Sequence, residues 1–327
     1  MITEVDNAYF HDALVERRAH LVRVLDAGQA GEVADLLARV DAALARLDRG
    51  GFGVCKACQD RIETDRLVRD PLAEYCEGHP AESERRRVAR DLEFAREIQL
   101  GLLPRTDLAI DGWRYAYRYD AAGEVGGDFC DVIVRPHLDE TLVLVGDVSG
   151  KGVAASMLMS HLVATFRSLA SLPLPTSDVL SRVNDLFHDS TAASSYATLA
   201  AASLGRNGSV DLYSAGHWAP LVRRGDRPDR ATVTPGLPLG LFADTRYSAS
   251  HLDLSAGDTL LFFTDGAVDA ENGAGEDYSL SRLSASLASG DSGDLQALVN
   301  RSHRDIRRFE AGQGPTDDLL LFAVSAR

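Results

Sequence analysis

Apolar positions change their rhythm at Pro104. Before it they recur at helical spacing. Residues 5–27 and 32–48 read as amphipathic helices, and Val33, Leu36, Leu37, Val40, Leu44 and Leu47 share one face of the second. The stretch AGQAG (27–31) between them is short enough for an antiparallel hairpin, and RGGFG (49–53) stops the second helix. A third helix is predicted over 82–103, ESERRRVARDLEFAREIQLGLL, with Pro104 ending it. Within it Val88, Leu92, Ala95, Gln99 and Leu102 are spaced 4, 3, 4 and 3, a heptad seam with one polar member. Such a seam suits a dimerising helix, and it also suits an ordinary packed one.

Past Pro104 apolar runs of strand length take over, at 129–134, 141–146, 196–204, 210–214, 219–222, 259–263 and 319–324. Helical stretches lie near 153–171, 176–189 and 294–309. Several strands follow one another without helices between them, while the helices come in blocks. That order predicts an α+β domain whose antiparallel sheets are covered by helices.

Composition narrows the class. The chain has 327 residues, 45% apolar and 25% charged, as expected of a soluble globular protein with two or three domains. No run approaches the roughly 18–20 apolar residues of a membrane helix. The start, MITEVDNAYFHD, lacks the basic and apolar stretches of a secretory signal, so the cytoplasm is the expected location and no membrane partner is expected. A net charge of −15, acidic on both sides of Pro104, argues against nonspecific nucleic-acid binding. An acidic chain can still take a phosphorylated substrate if metal ions supply the positive charge.

Two sets of residues carry candidate chemistry. Cys55 and Cys58 form one pair, and seventeen residues later Cys76 and His79 form another. Paired ligands at this spacing can close a tetrahedral zinc site, and four protein ligands leave no open position for catalysis. A structural zinc ion is therefore expected, with His79 as its fourth ligand. The alternative is buried free cysteines beside a surface histidine.

The second set is acidic. In GEVGGDFCDVIV (123–134) two glycines press Asp128 against the start of a strand. Asp147 follows the run TLVLVG, Asp265 follows TLLFFT, and Asp317, with Asp318 beside it, precedes LLLFAV. In antiparallel neighbours the start of one strand lies beside the end of the other. If 129–134 pairs with 141–146, and 259–263 with 319–324, all four aspartates can meet at one edge. Carboxylates so gathered repel one another, and Mg²⁺ or Mn²⁺ would resolve the repulsion. Aspartate is also common in turns for reasons of its own.

Both sets resemble known families. ALARLDRGGFGVCKACQDRIETDRLVRDPLAEYC, within about 43–80, resembles the DksA/TraR-type zinc finger. The last ligand of that family is commonly cysteine, so His79 departs from it. Its members act on RNA polymerase through a long helical hairpin; the hairpin here is short, and that activity is not carried over. DLEFAREIQLGLLP, VGGDFCDV, GDVSGKGVAASMLM, SAGHWAPLV, GLPLGL, LSAGDTLLFFTDGAVDA and TDDLLLFAV resemble, in that order, the bacterial SpoIIE/RsbU-type phosphatases of the metal-dependent protein phosphatase 2C-like (PPM) family.

The second resemblance spans about 91–325 and implies an α-β-β-α sandwich. It also implies a two-metal Mn²⁺ or Mg²⁺ site. Asp147 would bridge the ions, assisted by the Val148 carbonyl, and Asp128, Asp265 and Asp317 would complete the shells. Water would attack the phosphoryl group in line, with no covalent phosphoenzyme. Ser149 stands where eukaryotic relatives have a histidine, which leaves the proton donor undetermined, with metal-bound water the expected source. Cys130 replaces the usual tyrosine, Leu320 a threonine and Asp269 a glutamate. His217 is expected to shape a turn beneath the site.

The resulting expectation is a helical hairpin (1–50), a DksA/TraR-like finger (51–80), a linker helix (81–104) and a phosphatase domain (105–327). The family typically acts on STAS-domain anti-anti-sigma proteins and so on sigma-factor control. A homodimer through the linker helix is expected, with the finger as regulator. The rivals are an RNA-polymerase-binding regulator with a non-catalytic phosphatase fold, and a finger that senses redox state or metal.

Overall fold

A computed structural model describes residues 4–26, 32–79, 82–105, 110–225, 227–289, 294–310, 312 and 314–327. The predicted separator at 27–31 lies outside the described residues. The chain divides into two compact units, Met1–Asp91 and Leu92–Arg327.

In the first unit, α1 (Glu4–Asp26) and α2 (Glu32–Asp48) are followed by the short α3 (Thr64–Arg69). The helical spacing of α2 has its physical reason here. Val40 and Ala43 are fully buried, and Leu36, Leu37, Leu44 and Leu47 flank them partly covered. They pack with Phe10 and Leu14 of α1 and with Phe52, Ile62 and Leu67 of the following segment. Glu74 ties that segment back, pairing with Arg46 of α2 and, at 2.6 Å, with Lys56. The helix α4 (Glu82–Leu102) runs across the division between the units.

The second unit holds two five-stranded antiparallel sheets. Its strands are β1 (Trp113–Asp120), β2 (Phe129–Arg135), β3 (Glu140–Val148), β4 (Ala197–Gly205), β5 (Ser209–Ala215), β6 (Leu221–Arg224), β7 (Arg227–Arg230), β8 (Ser250–Asp253), β9 (Thr259–Phe263) and β10 (Leu319–Ala326). One sheet has the order β1-β10-β9-β6-β7, the other β2-β3-β4-β5-β8. Helices α5 (Gly152–Ala170) and α6 (Thr176–Ser190) cover the second sheet, and α7 (Ser279–Ala288) and α8 (Leu295–Phe309) cover the first.

Side-chain alternation along the inner strands builds three layers of core. Leu142 and Leu144 of β3 face Met159, Leu162 and Phe166 of α5, whereas Val143 and Val145 face the other sheet. On β10, Leu319, Leu321 and Ala323 pack towards α7 and α8, while Leu320, Phe322 and Val324 fill the space between the sheets. A strand covered on both faces must be apolar throughout, which is why these runs are continuous. The architecture is the expected α-β-β-α sandwich.

The differences from the sequence reading fall on less apolar elements. The strand β1, WRYAYRYD, alternates aromatic with small or charged residues and so was not an apolar run. The edge strands β7 (RPDR) and β8 (SHLD) are polar, and α7 is serine-rich. One membrane expectation is corrected. Among the described residues α5 is long and apolar enough to cross a bilayer by length and composition. Its buried residues, however, form the core against β2 and β3.

Candidate functional site

Strand pairing brings the acids together as their positions in the sequence suggested. The β2–β3 register sets Phe129 opposite Gly146, so Asp128 and Asp147 are neighbours at one end of the second sheet. In the first sheet Phe263 lies opposite Leu321, which puts Asp265 beside the Asp317–Asp318 pair. Asp265 opens a single 3-10 turn, Asp265–Ala267, and its carboxylate accepts the Gly266 N–H at 2.9 Å.

Asp128 is the most enclosed of the four, at 1% exposure. The Thr264 hydroxyl donates to its carboxylate at 2.6 Å, and the Leu320 N–H in turn donates to Thr264 at 3.1 Å. One acid of the second sheet is thus held by a side chain of the first. Burial, and then the Asp147 charge, push the Asp128 carboxyl well above the usual range. Burial, followed by the charges of Asp265, Asp317 and Asp318, brings Asp147 up to about 7. Asp265 is raised for the same two reasons, burial first and Asp317 next. Asp269, on the exposed side of the same turn, is raised by burial and by Asp277 and Asp317.

The two glycines of the GGD stretch have separate roles. A Cβ on Gly126 would stand 1.9 Å from an Asp318 carboxylate oxygen. One on Gly127 would stand 2.8 Å from the Val148 carbonyl and 3.2 Å from the Asp147 carboxylate. Side chains there would fill the cradle between the acids. Asp318 itself points into the backbone: it accepts N–H groups from Ala122 at 2.8 Å, Gly127 at 2.7 Å and Asp128 at 3.4 Å. Its task is to fix the loop that carries Asp128, a division of labour with Asp317 that adjacency in the sequence does not reveal.

Asp317 is partly open to solvent and pairs with Lys151 at 3.0 Å. Among the described residues Lys151 is the one cation paired with any of these aspartates. Ser149 is tied to Tyr196 both ways: its N–H donates to the Tyr196 carbonyl at 2.9 Å, and its Oγ accepts the Tyr196 N–H at 3.1 Å. His217 lies beneath the acids. Its Nε2 donates to the Phe263 carbonyl at 3.1 Å, and its Nδ1 accepts from Thr198 at 2.7 Å. Burial lowers its pKa to about 4, so it is a neutral brace between β4 and β9. Cys130 and Leu320 are buried between the sheets, where an apolar side chain belongs.

These residues fit hard divalent ions. Four carboxylates feel one another's charge, burial and mutual repulsion disfavour the charged forms of three of them, and among the described residues a single lysine answers them.

In the first unit Cys55, Cys58, Cys76 and His79 place their ligand atoms within 4.8 Å of one another. Cys58 and Cys76 sulfurs are 3.8 Å apart, and the Cys76 sulfur is 3.3 Å from His79 Nδ1. A tight turn forms the first knuckle: Cys55 N–H donates to Asp60 O at 2.8 Å, Gln59 N–H donates to Cys55 O at 3.0 Å, and Gln59 takes φ +64°. Burial pushes the Cys55 thiol up, but backbone N–H groups of Cys58, Cys76 and Ala57 outweigh it and bring it down to about 6. Its neighbour Cys58 moves the other way: the Asp60 N–H lowers it, but burial and the Cys55 and Cys76 sulfurs outweigh that and push it up to about 11, so one thiol of the pair is the readier thiolate. The donor set fits zinc.

The family described as Stage II sporulation protein E (SpoIIE) matches residues 138–327, which include Asp147, Asp265 and Asp317. Protein IcfG of Synechocystis sp. is 23% identical over 262 residues, 72% of this chain and 41% of that protein. Phosphoserine phosphatase RsbU of Bacillus subtilis is 29% identical over 145 residues, 43% of each. The chain thus spans less than half the length of either relative. Among solved structures, the RsbU and RsbW domains of Rv1364c from Mycobacterium tuberculosis align with a TM-score of 0.57 and 29% identity, covering 67% of this chain and 61% of that one. The catalytic domain of the serine/threonine phosphatase PstP, in complex with two manganese ions, aligns at 0.51 and 15%, covering 65% and 97%.

Proposed function

Since the chain belongs to the SpoIIE family, we propose that it is a metal-dependent phosphatase hydrolysing a phosphoserine or phosphothreonine ester on a regulatory protein. One observation carries this reading. Two strand pairs from different sheets deliver Asp128, Asp147, Asp265 and Asp317 to one edge, where burial and one another's charge raise three of the four. Two Mn²⁺ or Mg²⁺ ions, when bound, supply positive charge to the phosphoryl oxygens and lower the pKa of the attacking water.

The chain's own residues do the rest. Asp147, beside Asp128 and within the field of Asp265 and Asp317, would help hold the ions. The bare edge of Gly127 leaves the Val148 carbonyl free to assist. Thr264 and Asp318 hold Asp128 and its loop still. With its hydroxyl bound to Tyr196 and its position fixed at both backbone and side chain, Ser149 is a support for the loop after Asp147. That RsbU is a phosphoserine phosphatase supports a phosphoserine substrate, and the family resemblance supports a STAS-domain anti-anti-sigma protein in a sigma-factor pathway.

The Cys55, Cys58, Cys76 and His79 set holds one structural zinc ion in this reading. The domain division is the one read from the sequence, with the finger controlling the phosphatase through α4 in a cytoplasmic homodimer. The test is release of phosphate from an aryl phosphate or a phosphorylated STAS protein in Mn²⁺, comparing wild type with Asp147→Asn. Near-complete loss in a folded variant is expected. Equal rates would reject the role given to Asp147.

A further inference from the structure

Gln99 is the polar member of the α4 seam, and it is 2% exposed. A buried carboxamide is costly unless its groups are bonded. Gln99 meets that need on a single loop and its neighbour. Its Oε1 accepts the Gly126 N–H at 3.1 Å, its Nε2 donates to the Gly126 carbonyl at 2.9 Å, and the same Nε2 donates to the Tyr119 hydroxyl at 3.1 Å. Both backbone groups of Gly126 are therefore held by one side chain, two residues before Asp128.

From the other side Asp318 holds the same loop through Ala122, Gly127 and Asp128. On the helix side the loop borders a cavity of about 460 Å³, lined by Arg96, Gln99, Tyr119, Glu124 and Arg307 among others. The end of α4 is fastened a second time, by Arg167 of α5. Its guanidinium donates to the Leu102 carbonyl at 2.6 Å and to buried Asp131 of β2 at 2.7 Å.

We propose that Gln99 is a positioning residue for Asp128: it acts through Gly126, and it makes the geometry of the acid edge depend on the seating of the last turns of α4. An apolar residue would fill the seam equally well and would leave both backbone groups of Gly126 unbonded. The inference rests on the metal-site reading for what Asp128 does, but the clamp itself can be tested without it.

The experiment uses the full chain in three forms: wild type, Gln99→Leu and Gln99→Glu. The glutamate keeps the length and an acceptor for the Gly126 N–H while losing the donor. Hydrogen exchange of the 121–128 segment and Mn²⁺ affinity by calorimetry are read on each, with Trp fluorescence confirming the fold. Gln99→Leu is expected to speed exchange at Gly126 and Asp128 and to weaken Mn²⁺ binding by about tenfold, the lower end for outer-shell partners. Gln99→Glu is expected to fall between. Ile98→Ala, on the exposed face of the same turn, should change neither. Unchanged exchange, or unchanged Mn²⁺ affinity, in a folded Gln99→Leu would overturn the proposal. If the wild type takes up no Mn²⁺ the metal reading fails instead, and faster exchange in Gln99→Leu would still uphold the clamp.

Discussion

Replacing Asp147 by asparagine should make the metal-free protein more stable while removing its response to metal. The carboxyl rises from 3.8 to about 7 on folding, because of burial and then of its acidic neighbours. At about 1.36 kcal/mol per unit, three units correspond to about 4 kcal/mol against the folded state. Sharing of the effect with Asp128 reduces what one substitution recovers, so about 2 kcal/mol is expected at pH 8. For a unit of this size that is a rise of roughly 4–8 °C in Tm.

The sign follows from linkage. A carboxyl whose folded pKa is raised favours folding fully below its unfolded value near 4 and loses that contribution as pH rises through about 7. The gap between variant and wild type should therefore be small at pH 4 and full above pH 7. The assay is urea unfolding followed by tryptophan fluorescence. Both tryptophans, Trp113 and Trp218, belong to the 92–327 unit, so the Cys–His unit is silent. Added Mn²⁺ should stabilise the wild type and leave the variant unmoved. A variant less stable than wild type at pH 8 without metal, or a gap that ignores pH, would refute the reasoning.

Three further outcomes are expected. Arg135→Met removes a fully buried guanidinium that bonds Glu140, Thr176 and the Ala170 and Leu174 carbonyls. A loss of about 3–5 kcal/mol in urea is expected, with activity per folded molecule unchanged, because Arg135 lies at the far end of the strand that follows Asp128. His217→Gln should cost about 1–3 kcal/mol near neutral pH. Because burial lowers the wild-type ring to about 4, below its unfolded 6.5, the wild-type advantage should shrink as pH falls from 6.5 towards 4, which paired urea melts will show. Cys76→Ser should reduce zinc content to background by metal analysis and expose the 52–79 segment to protease, leaving the tryptophan signal in place.

Much of this was legible in the chain because the physics that builds it is local. Central strands packed on both faces must be apolar throughout, and β2, β3, β9 and β10 announced themselves so. The acids at their ends could then be placed by antiparallel pairing alone. The cysteine pairs were readable from spacing, and the structure brings them within reach of one another. What escaped was set by partners far away in sequence. The alternating β1 is a strand because β10 lies beside it, and polar β7 and β8 are strands because a sheet edge needs no apolar outer face. Asp318 looks like a twin of Asp317 until its backbone partners, some 190 residues earlier, are seen. Gln99 was visible as a flaw in a heptad, and only the loop opposite explains it.

Strand β10 lies between β1 and β9, although Asp318 at its head and Ala122, which it grips, stand 196 positions apart. During synthesis the first sheet therefore waits with its middle missing while everything from β1 to α8 is made. Residues 317–326 fill that gap, bond the loop before Asp128 and add the fourth acid. A chain lacking them would have neither a closed first sheet nor the full acidic edge, so the strand order ties completion of that sheet to the gathering of all four acids.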